Sequence, residues 1–453
     1  MSGVFQRTRT VALSAAWSLP ALAQAGRGPC GERVLFDGGS GVQDGWKRPG
    51  LVGLAPQCLL RVDGRDESVV EAALDRIQTE LVARRAPGLD GATGLAVLLG
   101  YECLSPGAGD PAAKPFPTIL VFSVDRTVVL NPDGSARLTV CAAAAADVEA
   151  DLVRWSQRLQ RETPRVPGTS PTLVAQSVST SLPRDRYIAA VVRLQRWITE
   201  GRIYQANLCQ RFDATWRGDP LDYFESVAAH QTVPRSAFLS IDDFCLASFS
   251  PETFVTVDDG IIETLPIKGT RPRGATAEQE RAAIDELLAS PKDRAELLMI
   301  VDLERNDLGR LCRPGSVEVP ELAALRSYPA VHHLVARVRG RLRDEVAWTE
   351  MVRAIFPGGS ITGAPKKSAM ERLRSVEPVA RGPFTGSLFW CGDDGSVDSS
   401  ILIRTAVFAG ERVSIGAGGG IVADSIPEEE WAESNLKARA LTCALGFDPE
   451  EVA

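Results

Sequence analysis

Histidine is nearly absent: His230, His332 and His333 are the only three in 453 residues. So few imidazoles exclude a metal centre built on several histidines. Lysine is scarce too, supplying only seven of the 50 basic residues. The nine cysteines (positions 30, 58, 103, 141, 209, 245, 312, 391 and 443) form no CxxC and fit no zinc spacing. An odd, scattered set of this kind reads as reduced thiols in a cytoplasm. No stretch is long and apolar enough to span a bilayer as a helix. Neither GxxxxGK[ST] nor GxGxxG follows a strand in the needed frame, which removes the common nucleotide-binding loops. A net charge of −8 and a pI near 5.3 argue against broad contact with nucleic acid or an anionic membrane.

What remains is ordinary globular material, 44% apolar and 24% charged, in a chain able to bury a large core. Arg7 and Arg9 precede VALSAAWSLPALAQA, which imitates a secretory signal; the reading adopted is a first strand, VALSAAW, then a short helix opened by Pro20. ESVVEAALDRIQTELVARRA (67–86) and DVEADLVRWSQRLQRE (147–162) have helical periodicity. PTILVFSV and RTVVLNPDGSARLTVCAA read as strands, the latter a hairpin turned at 131–134. A Pro/Ser/Thr-rich linker over 161–182 separates an N-terminal region, 1–160, from a second region, 183–446. There a helix from Asp185 ends at Gly201 and is followed by strands and then long helices. Strands and helices do not alternate strictly, so the expected class is α+β.

Three features carry chemistry. Five of the seven lysines fall between 268 and 437, and lysine, unlike arginine, becomes a nucleophile once it loses its proton. Lys268 follows the strand FVTVDDGIIETL on a stiff Pro-Ile-Lys-Gly-Thr turn. Two carboxylate pairs sit at i, i+3 spacing near helix starts, Asp293 with Glu296 and Glu430 with Glu433, so each pair shares a face. Alone, such a pair is an acidic first turn favoured by the helix dipole; facing one another, two such helices would make an all-oxygen site suited to magnesium. Two glycine-rich loops, FPGGSITGAPKKSAMERL and SIGAGGGIVADS, could bring backbone amides close to an anion, or simply turn the chain. Together these parts describe a site for a small polycarboxylate.

GRIYQANLCQRF, SPETF, LPIKGTRPRG, KDRAELLMIVDLERNDLGR, YPAVHHLVARVRG, FPGGSITGAPK, SILIRTAVF and GAGGGIVADSIPEEEWAESNLKA, in this order over the C-terminal 270 residues, resemble the chorismate-utilising enzymes. The resemblance implies a large two-sheet β core, a sandwich with helices packed outside. PIKGT is similar to the aminodeoxychorismate-forming branch, where anthranilate synthases typically show PIAGT. It implies that Lys268 attacks C2 of chorismate as the C4 hydroxyl leaves, ammonia then adding at C4. An anthranilate-forming component, or a catalytically silent subunit that binds chorismate or tryptophan, is the alternative.

The same resemblance assigns roles. Glu252 of SPETF is the implied general acid, and His333 lies near the leaving hydroxyl, with His332 structural. Glu296 and Glu433, with Asp293 and Glu430 alongside, are the implied magnesium ligands. Gly269, Thr270, Thr362, Arg404, Lys437 and the amides of Gly418, Gly419 and Gly420 are the implied substrate contacts, and Phe384 stands where many members carry Tyr. Ala206 occupies the position of a water-activating lysine in the salicylate and isochorismate branches, so water is not the expected nucleophile. An ordinary lysine is neutral less than about one time in a thousand at pH 7, and lowering its pKa by three units takes about 4 kcal/mol. No glutaminase signature such as GxCxG occurs, so a separate glutamine amidotransferase subunit is the implied source of ammonia. The segment LFDGGS (35–40) departs from the family's tryptophan-binding pattern.

Overall fold

A computed structural model of the chain describes residues 4–13, 17–29, 31–37, 50–86, 88–104, 116–131, 135–164, 176–230, 233–328 and 331–452. The expected hairpin turn at 132–134, much of the linker (165–175) and residues 38–40 of the LFDGGS segment lie outside them.

Two large sheets, in which every described pairing is antiparallel, form the centre. From one edge the first runs Phe5–Ala12, Ser135–Ala142, Arg126–Leu130, Leu51–Gly53 and Arg33–Asp37, then Arg235–Ile241, Phe244–Ser250, Thr405–Ala409, Arg412–Ile421, Gln205–Thr215 and Gly363–Ala364, with Gln176–Thr180 beside Gln205–Thr215. The second runs Ile267–Pro272, Val331–Arg341, Ile261–Leu265, Thr253–Asp258, Val397–Ile401, Ser387–Gly392, Gly94–Leu99, Ile119–Val124 and Gln57–Val62, with Glu318–Ser327 beside Val331–Arg341. Strands from both sides of the linker thus share both sheets.

A buried layer containing Phe36, Leu98, Phe122, Leu239, Leu246, Trp390 and Val407 joins the inner faces, Phe36 meeting Trp390 edge-on at 5.6 Å. Helices Leu19–Ala25, Ala145–Arg161, Pro220–Ala228 and Pro427–Cys443 cover the outside of the first sheet; Glu67–Arg84, Pro291–Gly309 and Trp348–Ile355 cover the second. With both faces covered, central strands such as GLAVLL and ILVFSV are buried at every residue, which is why they lack the polar alternation of a solvent-facing sheet. The architecture is α+β with a two-sheet core, as expected. No helix among the described residues is long and apolar enough to cross a membrane.

Two local readings change. The N-terminal strand is Phe5–Ala12 rather than 11–17, while Pro20 does open the short helix, capped by Ser18. The glycines of SIGAGGGIV are not a loop after a strand: Gly416 to Gly420 lie inside Arg412–Ile421, with Cys209 opposite Gly418, Leu208 opposite Gly419 and Asn207 opposite Gly420. The reason is close approach. A β-carbon on Gly418 would fall 2.2 Å from the Leu208 carbonyl oxygen, and one on Gly416 would fall 2.3 Å from the Phe384 ring. Gly418→Ala is therefore expected to cost about 1–3 kcal/mol of unfolding free energy in urea, by overpacking. The control Gly64→Ala, with open space around the new methyl, should leave the urea midpoint nearly unchanged.

Candidate active site

Lys268 is in the edge strand Ile267–Pro272 rather than on a free turn, paired opposite Leu334, with a bulge between it and Thr270. Gly269 makes that bulge at φ +72°. It also clears space: a β-carbon there would lie 3.0 Å from both Cβ and Cγ of Asp293. Helix Pro291–Gly309 can therefore lie close over the strand that carries Lys268. Ser290 caps this helix by accepting from the Asp293 amide, and Asp293 pairs with Arg271 at 3.2 Å.

Helix Pro427–Cys443 crosses the glycine strand in the same manner. Glu430, Glu433 and Lys437 repeat at helical spacing and meet over Gly419: from a β-carbon placed there, Glu430 Oε2 would be 3.2 Å away, Lys437 Nζ 3.8 Å and Glu433 Oε1 3.9 Å. Lys437 lies 2.6 Å from Glu433 and donates to the Gly418 carbonyl at 3.1 Å; Glu430 accepts from Ser425 at 2.6 Å.

The two helices meet electrostatically around Lys268. Burial lifts the Glu296 carboxyl above the usual range, Lys268 and Lys292 oppose this, and Asp293 and Glu433 add to it. Glu433 is partly desolvated as well, yet Lys437, Lys292 and Lys268 outweigh that and hold it low. Glu252, buried between strands Phe244–Ser250 and Thr253–Asp258, is raised by burial against the pull of Lys268, the Ser360 hydroxyl and Lys437. One lysine thus sits in the field of three glutamates from three elements.

His333 stands opposite Thr270 in the neighbouring strand, its Nδ1 3.2 Å from the Gly269 carbonyl and 3.0 Å from Thr270 Oγ1. A carbonyl only accepts, so Nδ1 carries the proton and Nε2 is left as an acceptor. Burial, with Arg404 nearby, pushes the imidazole down to about 4, and the ring is neutral at physiological pH. His332 points elsewhere, towards Ser327 at 2.8 Å and Glu280 at 3.2 Å.

Arg404, at φ +48°, stands immediately before Thr405–Ala409, where that strand and Arg412–Ile421 part company beyond Ile415. Its guanidinium is largely desolvated, which lowers its pKa, and it has no carboxylate partner among the described residues. A buried cation without an anion is costly, so this is a place for one. Thr362 is fully buried and its hydroxyl donates to Gly358 O at 2.9 Å, tightening its own turn. Phe384 packs on Gly416, and Ala206 is wholly buried between Ile421 and Gly363.

Reading the sequence did not single out two further groups. Arg381 is buried, bonded to Glu377 at 2.7 Å, stacked 4.4 Å from the Tyr101 ring, and donates to the carbonyls of Ile361 and Asn207. It ties the 359–361 turn to the strand bearing Ala206. Glu304, on the helix of Glu296, is a buried carboxyl whose only signal was its i, i+3 spacing from Asp307.

No three acidic, histidine or cysteine side chains among the described residues stand close enough to form a ready metal cage. The donor chemistry nonetheless fits magnesium, which needs one or two carboxylates and takes its remaining oxygens from water and substrate. The charge of Glu433 reaches Glu296, and the ammonium of Lys437 already sits on Glu433 as a cation.

The sequence model of the family described as chorismate binding enzyme matches residues 31–442. An aminodeoxychorismate synthase component 1 of Salmonella typhimurium is 44% identical over 270 residues, 60% of each chain. The chain thus matches about three fifths of that relative's length. An anthranilate synthase component 1 of Pseudomonas putida is 33% identical over 442 residues, 90% of this chain and 89% of that one. The fold is that of anthranilate synthase component I from Streptococcus pneumoniae (TM-score 0.72, 24% identity, 96% and 92% covered). It is equally that of the menaquinone-specific isochorismate synthase of Escherichia coli (TM-score 0.74, 16% identity, 98% and 95% covered). With the match running through both sheets and every element of the site, this chain belongs to the chorismate binding enzyme family.

Proposed function

We propose that the protein aminates chorismate to 4-amino-4-deoxychorismate, with Lys268 as covalent nucleophile. The observation that carries this reading is the placement of the Lys268 amine amid Glu252, Glu296 and Glu433. Similarity to the Salmonella typhimurium aminodeoxychorismate synthase component supports it.

In this reading Glu252 supplies the proton. Splitting the C4–O bond needs an acid at the leaving oxygen, and burial keeps this carboxyl protonated to higher pH than an exposed one. The Lys268 amine bonds to C2 as water leaves with the electrons of the C–O bond. Ammonia then adds at C4, the C2–N bond breaks, and the surplus proton on the new amine returns to the site. His333 Nε2 accepts from the hydroxyl and orients it. Arg404 holds one carboxylate, and Lys437, Gly269, Thr270 and the backbone beside Gly418–Gly420 position the rest. Glu296 and Glu433 would hold magnesium, with Asp293 and Glu430 behind them; the ion supplies positive charge against the second carboxylate. Ammonia comes from a separate glutamine amidotransferase subunit, consistent with the "component 1" name of the Salmonella relative. The product feeds 4-aminobenzoate and folate synthesis through a further enzyme.

The purified protein with chorismate, magnesium and an ammonium salt should yield 4-amino-4-deoxychorismate without pyruvate. Anthranilate with released pyruvate would instead establish the reaction of the Pseudomonas putida relative. Lys268→Ala should lower the rate by about 100-fold or more and abolish any substrate adduct seen by mass spectrometry; full activity would remove the covalent step.

His333 generates a pH dependence of stability. Its folded pKa, about 4, lies below its ordinary 6.5, so the unfolded chain binds the proton first. Stability from this group is complete above 6.5 and lost as pH falls towards 4, by up to about 3 kcal/mol. Urea unfolding of His333→Gln should therefore show a shallower acid loss across that window than the unsubstituted protein.

A further inference from the structure

Strand Gln205–Thr215 carries the glycine strand on one edge, with Asn207 opposite Gly420 and Cys209 opposite Gly418. Its other edge is paired only towards its ends. Gly363–Ala364 covers Gln205 and Ala206, and Gln176–Thr180 rejoins at Phe212; no described strand pairs with Asn207 to Cys209 on that side. A buried edge must still satisfy its amides and carbonyls. Here two side chains do so. Arg381 Nη2 donates to the Asn207 carbonyl at 2.6 Å, and Glu377 Oε1 accepts from the Cys209 amide at 3.0 Å. The same guanidinium donates through Nη1 to the Ile361 carbonyl at 2.8 Å, while the Asn207 amide donates to the Thr362 carbonyl at 2.9 Å. Arg381 thus holds Thr362 twice, through the residue before it and through the strand beside it. The arginine is fixed in turn. Its Nε and Nη2 fork onto Glu377 at 2.9 and 2.7 Å, and the guanidinium lies 4.4 Å from the centre of the Tyr101 ring. Glu102 accepts from the backbone amides of Arg381 and Gly382 at 2.7 and 3.1 Å.

We propose that Arg381, locked by Glu377, Tyr101 and Glu102, is a positioning residue that sets the gap between the Thr362 turn and the Gly418–Gly420 strand, and with it the fit of the substrate. It touches no reacting atom. The inference rests on the reading of those two segments as chorismate contacts. A guanidinium is planar and donates in several fixed directions, so this one group reaches the Glu377 carboxylate and both carbonyls at once. A lysine keeps the charge but offers a single point, and cannot hold the turn and the strand together. A misplacement of about 1 Å in a positioning contact is enough to cost about 100-fold in rate. Tyr101 and Glu102, which back the clamp, belong to the N-terminal region, so that region reaches the substrate contacts through this arginine.

The test is the KM for chorismate consumption, whatever the product, in wild type, Arg381→Lys and the control Arg84→Lys. Loss of folded protein lowers the apparent kcat, whereas KM belongs to each folded molecule. Arg381→Lys should raise KM about tenfold. Arg84 bonds Asp393, Asp125 and Ser123 and none of the site residues, so Arg84→Lys should leave KM unchanged. An Arg381→Lys enzyme with the wild-type KM overturns the positioning role. If Arg381→Lys does not fold, Glu102→Gln decides. It takes one acceptor from the two backbone amides and spares the guanidinium's own bonds; KM should rise about threefold, and an unchanged value overturns the role. Wild type that leaves chorismate untouched overturns instead the functional reading beneath it. Hydrogen exchange then judges the clamp: the Asn207 and Cys209 amides should exchange about tenfold faster in Arg381→Lys, and equal rates overturn it.

Discussion

Two helices can each bring acidic side chains down onto a strand only because each strand is bare beneath, at Gly269 under one helix and at Gly419 under the other. Side chains at Gly269 or Gly419 would enter the space now held by Asp293 on one helix and Glu430 on the other. The approach sets carboxylates in partly desolvated surroundings, where like charges interact strongly. Lys268, Lys292 and Lys437 are the compensating charges, and each appears in the balance of Glu433. The glycines thus set a distance, and the distance sets the electrostatics on which any substrate or metal chemistry must work.

Lysine and arginine divide the work. Most arginines serve as permanent cations in structural pairs, as Arg381 does with Glu377, Arg235 with Asp398 and Arg84 with Asp393. Three of the scarce lysines, Lys268, Lys292 and Lys437, converge electrostatically on the carboxyl of Glu433. Arg404 differs from these, being desolvated and without a carboxylate partner among the described residues. Its neighbour His333 is kept neutral by burial, so the pair presents one charge and one acceptor.

Much of this was legible in the residues. Helical periodicity placed Glu67–Arg84 and Pro291–Gly309, and i, i+3 spacing put Asp293 with Glu296 and Glu430 with Glu433. Glycine density misled: four glycines in five positions read as a loop, because nothing local shows that a strand and a phenylalanine ring lie against them. Lys268 read as a turn residue for a related reason, its strand being an edge interrupted by a bulge at Gly269. Glu304 showed only its i, i+3 spacing from Asp307. Its carboxyl meets the Thr264 hydroxyl of a distant strand only through the fold, and no periodicity reports such a meeting.

The interleaving of the sheets has a further consequence. Strand Arg33–Asp37 finds its neighbour in Arg235–Ile241, and Gly94–Leu99 pairs with Ser387–Gly392. Such distant pairings make the entropy of closing long loops an early cost of assembly, and they slow it. On the ribosome the early strands must wait, edges open, until their distant partner strands have emerged. Helix Pro427–Cys443, which brings Glu433 and Lys437, lies far along the chain from Lys268. The charge cluster therefore forms only once that distant helix has docked, and until then the open β edges are available for unwanted pairing.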